Sequence, residues 1–329
     1  LDVSQVRVHI TGMGGGFGRR TGLDFVEEAI RVASRVPGPV QLIWSREDDL
    51  GHGEYREASA HRLEAAVDST GRISAWRHRL VSSQQGEYSP DQKNFIAAFG
   101  ATNIPYDIPN LQVLWRGVDL PVPTRIWRAV GYSYNNFAVE SFVDELASSV
   151  GKDPVAFRQS HIGKKHPRLA HCLSRVADAS GWPGPGPAGG TLGVAILSAL
   201  GSYLALVAEV TLNSDDTPRV NNVWCIVDCG IAVNPDTVVA QIEGGILYGL
   251  DAAMYGKVSL VDGAIVKRNF DTYRVMRIDE APRIHVTLVP SIEAPGGVGE
   301  LGVPAIAPAV ANALVASGWQ RTRQLPFVS

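Results

Sequence analysis

The sequence predicts an α+β chain in which mixed sheets pack against helices, and three observations carry that expectation. Stretches with an apolar residue at every third or fourth position are interspersed with shorter ones that alternate every second residue. The two kinds follow one another without the strict strand, helix, strand order of a parallel doubly wound fold. Of 329 residues, 45% are hydrophobic and 19% charged, which is ample apolar material for a packed interior.

Taken in order, VRVHI (Val6 to Ile10) alternates like a strand and runs into GMGGGFG, five glycines in seven positions from Gly12 to Gly18. Beyond it, Phe25, Val26, Ala29, Ile30, Val32, Ala33 and Val36 keep helical spacing, and Val40 to Trp44 reads as a second strand. His61 to Val81 forms two alternating runs about Ser69-Thr70-Gly71, a hairpin. A proline-spaced stretch from Ile104 to Pro123 leads to a helix over Tyr134–Val150, then a short charged helical segment in which His166 and His171 read as solvated. GWPGPGPAGG, residues 181–190, is too rich in Pro and Gly for regular structure and reads as a linker between a first portion, 1–180, and a second, 191–329. In the second portion LALVAEVTL and RVNNVWCIVD pair as strands across a turn at Asn213 to Pro218. A helix starts after Asn234-Pro235-Asp236, a strand covers Arg283 to Val289, and a last helix covers Pro304 to Ser317.

Several function classes lack a basis. A net charge of −3 and the absence of a basic run give nucleic acid no purchase. The most apolar stretch, Gly193 to Val210, is broken by Ser198, Gly201, Ser202 and Glu209 and reads as core rather than a membrane span. Cys172, Cys225 and Cys229 make no disulfide framework or metal spacing and read as buried or spare thiols. The glycine turn is neither a dinucleotide fingerprint, whose third glycine falls on Phe17, Arg19 or Thr21, nor a phosphate loop ending in Gly-Lys-Ser/Thr. It still sets residues without Cβ against a helix start, where unpaired N–H groups receive polar ligands.

Other polar residues read two ways. Glu300 lies among the glycines of PGGVGELGVP just before a helix, where it is either a capping carboxylate or a lone base in a tight site. Arg128 is a surface partner or a site residue, Gln241 an exposed helix residue or a ligand, and Asn234-Pro235-Asp236 most simply a helix cap.

Together and in order, five motifs carry a resemblance: GGGFGRR (Gly14 to Arg20), WSREDD (Trp44 to Asp49), WRAVGYSYNNFAVESFVDELA (Trp127 to Ala147), VDCGIAVNPDTVVAQIEGGILYGL (Val227 to Leu250) and GGVGELGVPAIAPAVANAL (Gly296 to Leu314). The chain resembles the molybdenum-binding subunit of the xanthine dehydrogenase/aldehyde oxidase family, in the branch of the isoquinoline 1-oxidoreductase large subunit and the bacterial molybdenum aldehyde dehydrogenases. The resemblance implies a molybdopterin cofactor, in bacteria usually the cytosine dinucleotide form. Gly14, Gly15, Gly16, Phe17 and Gly18 would line it, with Arg128, Ala129 and Gln241 close by. It implies Glu300 as the catalytic base in the oxidation of an aldehyde, or of the carbon beside a ring nitrogen. The two electrons would leave through [2Fe–2S] clusters on a separate subunit, in some members toward a cytochrome c.

Two departures qualify the resemblance. Arg128-Ala129-Val130-Gly131 stands where many relatives of the xanthine dehydrogenase branch have Arg-Gly-Phe-Gly, which disfavours a flat purine substrate and leans toward aldehydes. A Met-Gly-Gln-Gly segment of full subunits is absent, and the chain starts with Leu1 just upstream of the glycine turn. The expectation is therefore a C-terminal portion of a larger subunit, cut by processing, split-encoded or trimmed, with a second chain supplying the rest of the cofactor cradle. The compartment stays open between bacterial periplasm and cytoplasm. The rival expectation is a non-catalytic structural or interaction module that keeps the family fold.

Overall fold

The computed structural model describes residues 2–83, 96–162 and 164–328. Its centre is a four-stranded sheet of β4 (Thr191–Ala199), β5 (Ser202–Leu212), β6 (Pro218–Asp228) and β9 (Arg283–Leu288), in that order. The first three strands are antiparallel, and β9 pairs parallel to β6. Both faces are covered, so these strands carry few polar residues. Leu204, Leu206, Ala208 and Val210 of β5 point into one core with the helices α6 (Pro235–Tyr255) and α7 (Gly302–Ala316). The intervening Ala205 and Val207 point into a second core beneath α3 (Tyr132–Ser149), α4 (Pro154–His161) and α5 (Pro167–Ser180). A period of two along one strand thus feeds two opposite interiors.

A smaller sheet sits against the second core. β1 (Ser59–Val67) and β2 (Ile73–Ser83) form the expected hairpin, and Ile73 and Trp76 reach Val139 and Val143 of α3 within that core. A third strand, β3 (Leu111–Val118), runs parallel to β2 inside the proline-spaced stretch, where no strand was expected. A short ladder of β7 (Leu260–Val261) and β8 (Ala264–Ile265) follows α6. Residues 181–190 form neither helix nor strand, but they are tied down, since the Ala188 and Gly190 N–H groups both donate to the buried Glu209 carboxylate.

Two expectations fail near the start. Val6–Ile10 and Val40–Trp44 form no strands, because no described strand lies beside either for them to pair with. Between them α1 (Asp24–Ala33) is the expected amphipathic helix, yet it has no buried residue. A short helix, α2 (Arg46–His52), opens on a capping box in which the Ser45 side chain accepts the Asp48 N–H.

Buried polar contacts fix α3 and α7. Pro308 lies inside α7 and has no N–H to offer the Pro304 carbonyl, and Asn136 of α3 supplies the missing donor at 3.2 Å. Between α3 and α4, Glu140 and Arg158 form a buried ion pair at 2.9 Å that also takes in the Tyr106 hydroxyl and the Ile196 N–H.

Candidate functional site

The packing of α6 on α7 begins the site. A Cβ on Gly302 would collide with the Ile242 carbonyl oxygen, so only glycine lets the start of α7 come this close to α6. Gln241, one residue before Ile242 and exposed on α6, is thereby brought level with Gly299 and Glu300 ahead of α7. Arg128 bridges the three segments. Its Nε donates to the Gly299 carbonyl at 2.7 Å, and its second amino nitrogen donates to that carbonyl and to Gln241 Oε1 at 3.2 Å. Half-buried Glu300 accepts the Ala129 N–H at 3.2 Å across 171 residues of sequence.

The loop holding Arg128 is bent for this purpose. Ala129 has φ 79° and Val130 φ 42°, in the left-handed region that a branched side chain normally avoids. Such conformations cost on the order of 1–3 kcal/mol and persist where surrounding contacts enforce them. Here the bend turns the Ala129 N–H toward Glu300 just before α3 begins.

The glycine turn reaches the same place through its one aromatic. Phe17 stacks on Tyr248 of α6 with centroids 5.4 Å apart, and Tyr248 stacks on Trp127 at 4.6 Å. The Arg128 guanidinium lies 5.8 Å from the Phe17 ring and 5.7 Å from Tyr248, and Arg56 covers Trp127 at 4.1 Å. Burial draws the Arg128 guanidinium below its ordinary value, while Tyr248 and Glu300 oppose that shift. A Cβ at Gly18 would overlap the Ile126 carbonyl, and its φ of +94° excludes most side chains as well. Arg19 anchors the far end of the turn on Asp24 at 2.6 Å and Glu54 at 3.1 Å, and Glu54 also holds Arg125.

The sequence-derived residues Arg128, Ala129, Gln241 and Glu300 therefore meet, and Phe17 joins them through Tyr248. Gly14 faces open space, with nothing within 4 Å of a Cβ placed there. Sequence reasoning missed Tyr248, Trp127 and Arg56. Tyr248 follows Gln241 by seven residues and Gly245 by three, spacing that sets all three on one helical face and was the available signal. Asn234 caps α6 by accepting the Thr237 N–H at 3.1 Å, the simple role expected of it. The three cysteines are buried, with Cys172 pushed up to about 12 by burial. Among the described residues, no three His, Cys, Asp or Glu side chains converge on a metal position, and no helix is long and apolar enough to cross a membrane.

Two family profiles, each described as a molybdopterin cofactor-binding domain, match residues 1–162 and 198–282. The chain is 37% identical to the isoquinoline 1-oxidoreductase subunit beta of Brevundimonas diminuta, over 98% of this chain and 43% of that one. It is 29% identical to the membrane-bound aldehyde dehydrogenase (pyrroloquinoline-quinone) of Gluconacetobacter polyoxogenes, over 95% of this chain and 45% of that one. The aldehyde oxidoreductase of Desulfovibrio gigas shares the fold with a TM-score of 0.79 at 16% identity, covering 96% of this chain and 53% of that one. The chain spans less than half the length of the two sequence relatives. It belongs to the molybdenum-binding subunits of the xanthine dehydrogenase/aldehyde oxidase family, in the isoquinoline 1-oxidoreductase branch.

Proposed function

We propose that this chain is part of the catalytic subunit of a molybdenum hydroxylase that oxidises aldehydes to carboxylic acids or hydroxylates N-heteroaromatic rings, with Glu300 as its base. The observation that carries the proposal is the meeting of Arg128, Ala129, Gln241 and Glu300 from three distant segments beside the Phe17 turn. A molybdopterin cofactor, in the cytosine dinucleotide form, would supply the water-derived nucleophile and the two-electron sink.

The residues fit an oxygen-rich group of that kind. The backbone N–H groups from Gly12 to Arg19 find no acceptor among the described residues, and the space over Gly14 is open. Gly14, Gly15, Gly16, Phe17 and Gly18 would present those donors to the cofactor, with the Gln241 amide and the Arg128 guanidinium on its other side. Glu300 would hold the transferred proton. The Ala129 N–H fixes its Oε1, and Oε2, which takes no hydrogen bond among the described residues, is the atom that receives it. Ala129 and Val130 offer a substrate no aromatic ring, which favours small aldehydes over flat purines.

The remaining cradle would come from a second chain, and the electrons would leave through [2Fe–2S] clusters on a further subunit toward an acceptor such as a cytochrome c. The name of the Brevundimonas diminuta relative, a subunit beta, supports a multichain assembly. The test is molybdenum and pterin analysis of the native complex, with mass spectrometry of every chain in it. About one molybdenum and one pterin per complex support the proposal. A complex of the same chains free of both makes the fold a retained, non-catalytic scaffold.

A further inference from the structure

We infer that Arg56 is a positioning residue for Glu300: its guanidinium staples the two ends of the bend from Trp127 to Ser133 and thereby holds the Ala129 N–H on the Glu300 carboxylate. The inference rests on the base role proposed above for Glu300, while the staple itself is testable without any turnover.

The bend needs a hold from outside itself. The Val130 N–H donates to the Trp127 carbonyl at 2.8 Å, which closes a four-residue turn with Ala129 in third place at φ 79°. Turns with a positive φ at that place take glycine, and this one has alanine, followed by Val130 at φ 42°. Neither residue favours such a backbone on its own, so it persists through contacts beyond the turn. Arg128 makes some of them, to Gly299 and Gln241. Arg56 makes one that spans the whole bend.

Three observations assign that role to Arg56. Ahead of the bend, its guanidinium lies 4.1 Å from the centre of the Trp127 ring; beyond the bend, its second amino nitrogen donates to the carbonyl and the hydroxyl of Ser133, each at 3.3 Å. One rigid planar group therefore joins both ends. Both acceptors are neutral, and burial draws the guanidinium below its ordinary value, as befits a cation shielded from water and laid on a ring. Backbone pairing brings Arg56 to this place. The Tyr55 N–H donates to the Pro123 carbonyl and the Arg125 N–H to the Tyr55 carbonyl, both at 2.9 Å, so Arg56 runs beside the approach to Trp127. Tyr248 stacks on the same indole at 4.6 Å and ties the staple to α6.

The consequence falls on Glu300. Ala129 sits within the stapled segment, and its N–H is the group that fixes Oε1. A bend that relaxes turns this N–H away, and a catalytic group displaced by about 1 Å loses on the order of 10² in rate. Arg56 acts through the loop, since its hydrogen bonds go to Ser133 and not to Glu300.

The experiment compares the native complex with two variants of it. Arg56→Met keeps the length of the side chain without its charge or donors, and Arg56→Lys keeps a cation over the ring. Amide hydrogen exchange is read at Ala129 and Val130, with β5 as the control. In Arg56→Met the two loop amides should exchange roughly tenfold faster while β5 is unchanged. With acetaldehyde as substrate, kcat should fall roughly tenfold with KM within about twofold of the parent, and Arg56→Lys should regain about half of that loss or more. In a Glu300→Gln background Arg56→Met should lower kcat by less than about twofold further, because a residue acting through Glu300 has nothing left to position. Trp127→Phe, a smaller ring under the same cation, should speed the same two amides by a smaller factor and decides the matter if Arg56→Met does not assemble.

Unchanged exchange at Ala129 and Val130 overturns the inference. So does faster exchange with unchanged kcat in a complex where Glu300→Gln loses turnover, or a loss of kcat that persists undiminished in the Glu300→Gln background. Full turnover by Glu300→Gln overturns the base reading alone, and exchange at the two amides still decides the staple.

Discussion

Replacing Glu300 by glutamine separates the support this side chain gives its loop from the base role proposed for it. Its Oε1 accepts the Ala129 N–H at 3.2 Å, and a glutamine amide oxygen accepts the same bond, so the turn at Arg128 to Gly131 keeps its support. Exchanging a charged acceptor for a neutral one costs about 1 kcal/mol of stability. Glutamine takes no proton, and loss of a general base lowers turnover by roughly 10² to 10⁴, or about 3–5 kcal/mol in the barrier. The catalytic effect thus exceeds the structural one several-fold. The assay is turnover of a small aldehyde by the native complex carrying Glu300→Gln, with molybdenum content, pterin content and melting temperature measured on the same sample. Unchanged cofactor, a small shift in melting and a turnover loss of at least roughly 10² are expected. A loss of less than a few-fold in a fully loaded complex would refute the argument and leave Glu300 as a loop support. Glu300→Ala is the control, since it strands the Ala129 N–H at about 1–3 kcal/mol and should melt lower than the glutamine variant.

Gly14→Val should leave the melting of the chain within about 0.5 kcal/mol of the parent, because nothing lies within 4 Å of the added Cβ, while molybdenum content of the complex falls; unchanged content would count against the cradle. Burial pushes the Glu57 carboxyl from 4.5 up to about 7. Between those values the folded chain keeps a proton that the unfolded chain has released, so stability declines as pH rises through that window and stays lower above it. Glu57→Gln should therefore gain more unfolding free energy over the parent at pH 8 than at pH 5, by at most about 3 kcal/mol in denaturant titration, and an equal gain at both would contradict this. Glu140→Ala would take the nearer carboxylate from the buried Arg158 guanidinium, leaving it Asp144 at 3.6 Å, and should destabilise by about 3 kcal/mol in denaturant titration. A change under about 1 kcal/mol would mean the pair is not the internal tie of α3 to α4.

Much of the fold could be read locally. The hairpin, the helices α3, α6 and α7, and the paired strands β5 and β6 each carry their own periodicity and turn residues, and they stand where expected. Val6–Ile10 and Val40–Trp44 carry strand periodicity too, but a strand is made by its neighbour, and none is present beside them. β3 escaped notice because its pairing with β2 is long-range, while the prolines around it read as a loop. The site divides in the same way. Glu300, Arg128 and Gln241 could be singled out only by resemblance, since the contact between Ala129 and Glu300 spans 171 residues and leaves no trace in spacing. Tyr248 lies within the motif from Val227 to Leu250 but carried no role there, yet its position two turns beyond Gln241 was there to be read.

The left-handed pair Ala129 and Val130 has a bearing on how such a protein would change under selection. A search for heat resistance would find glycine at position 130 a mixed exchange, since its freedom relieves the left-handed backbone by about 1 kcal/mol while the packing of Val130 against the central core is lost. That same freedom would loosen the bend that presents the Ala129 N–H to Glu300. Backbone relief, core packing and the placing of that N–H would then pull this one residue in different directions, and a lineage selected for heat resistance would have to find its stability elsewhere in the chain.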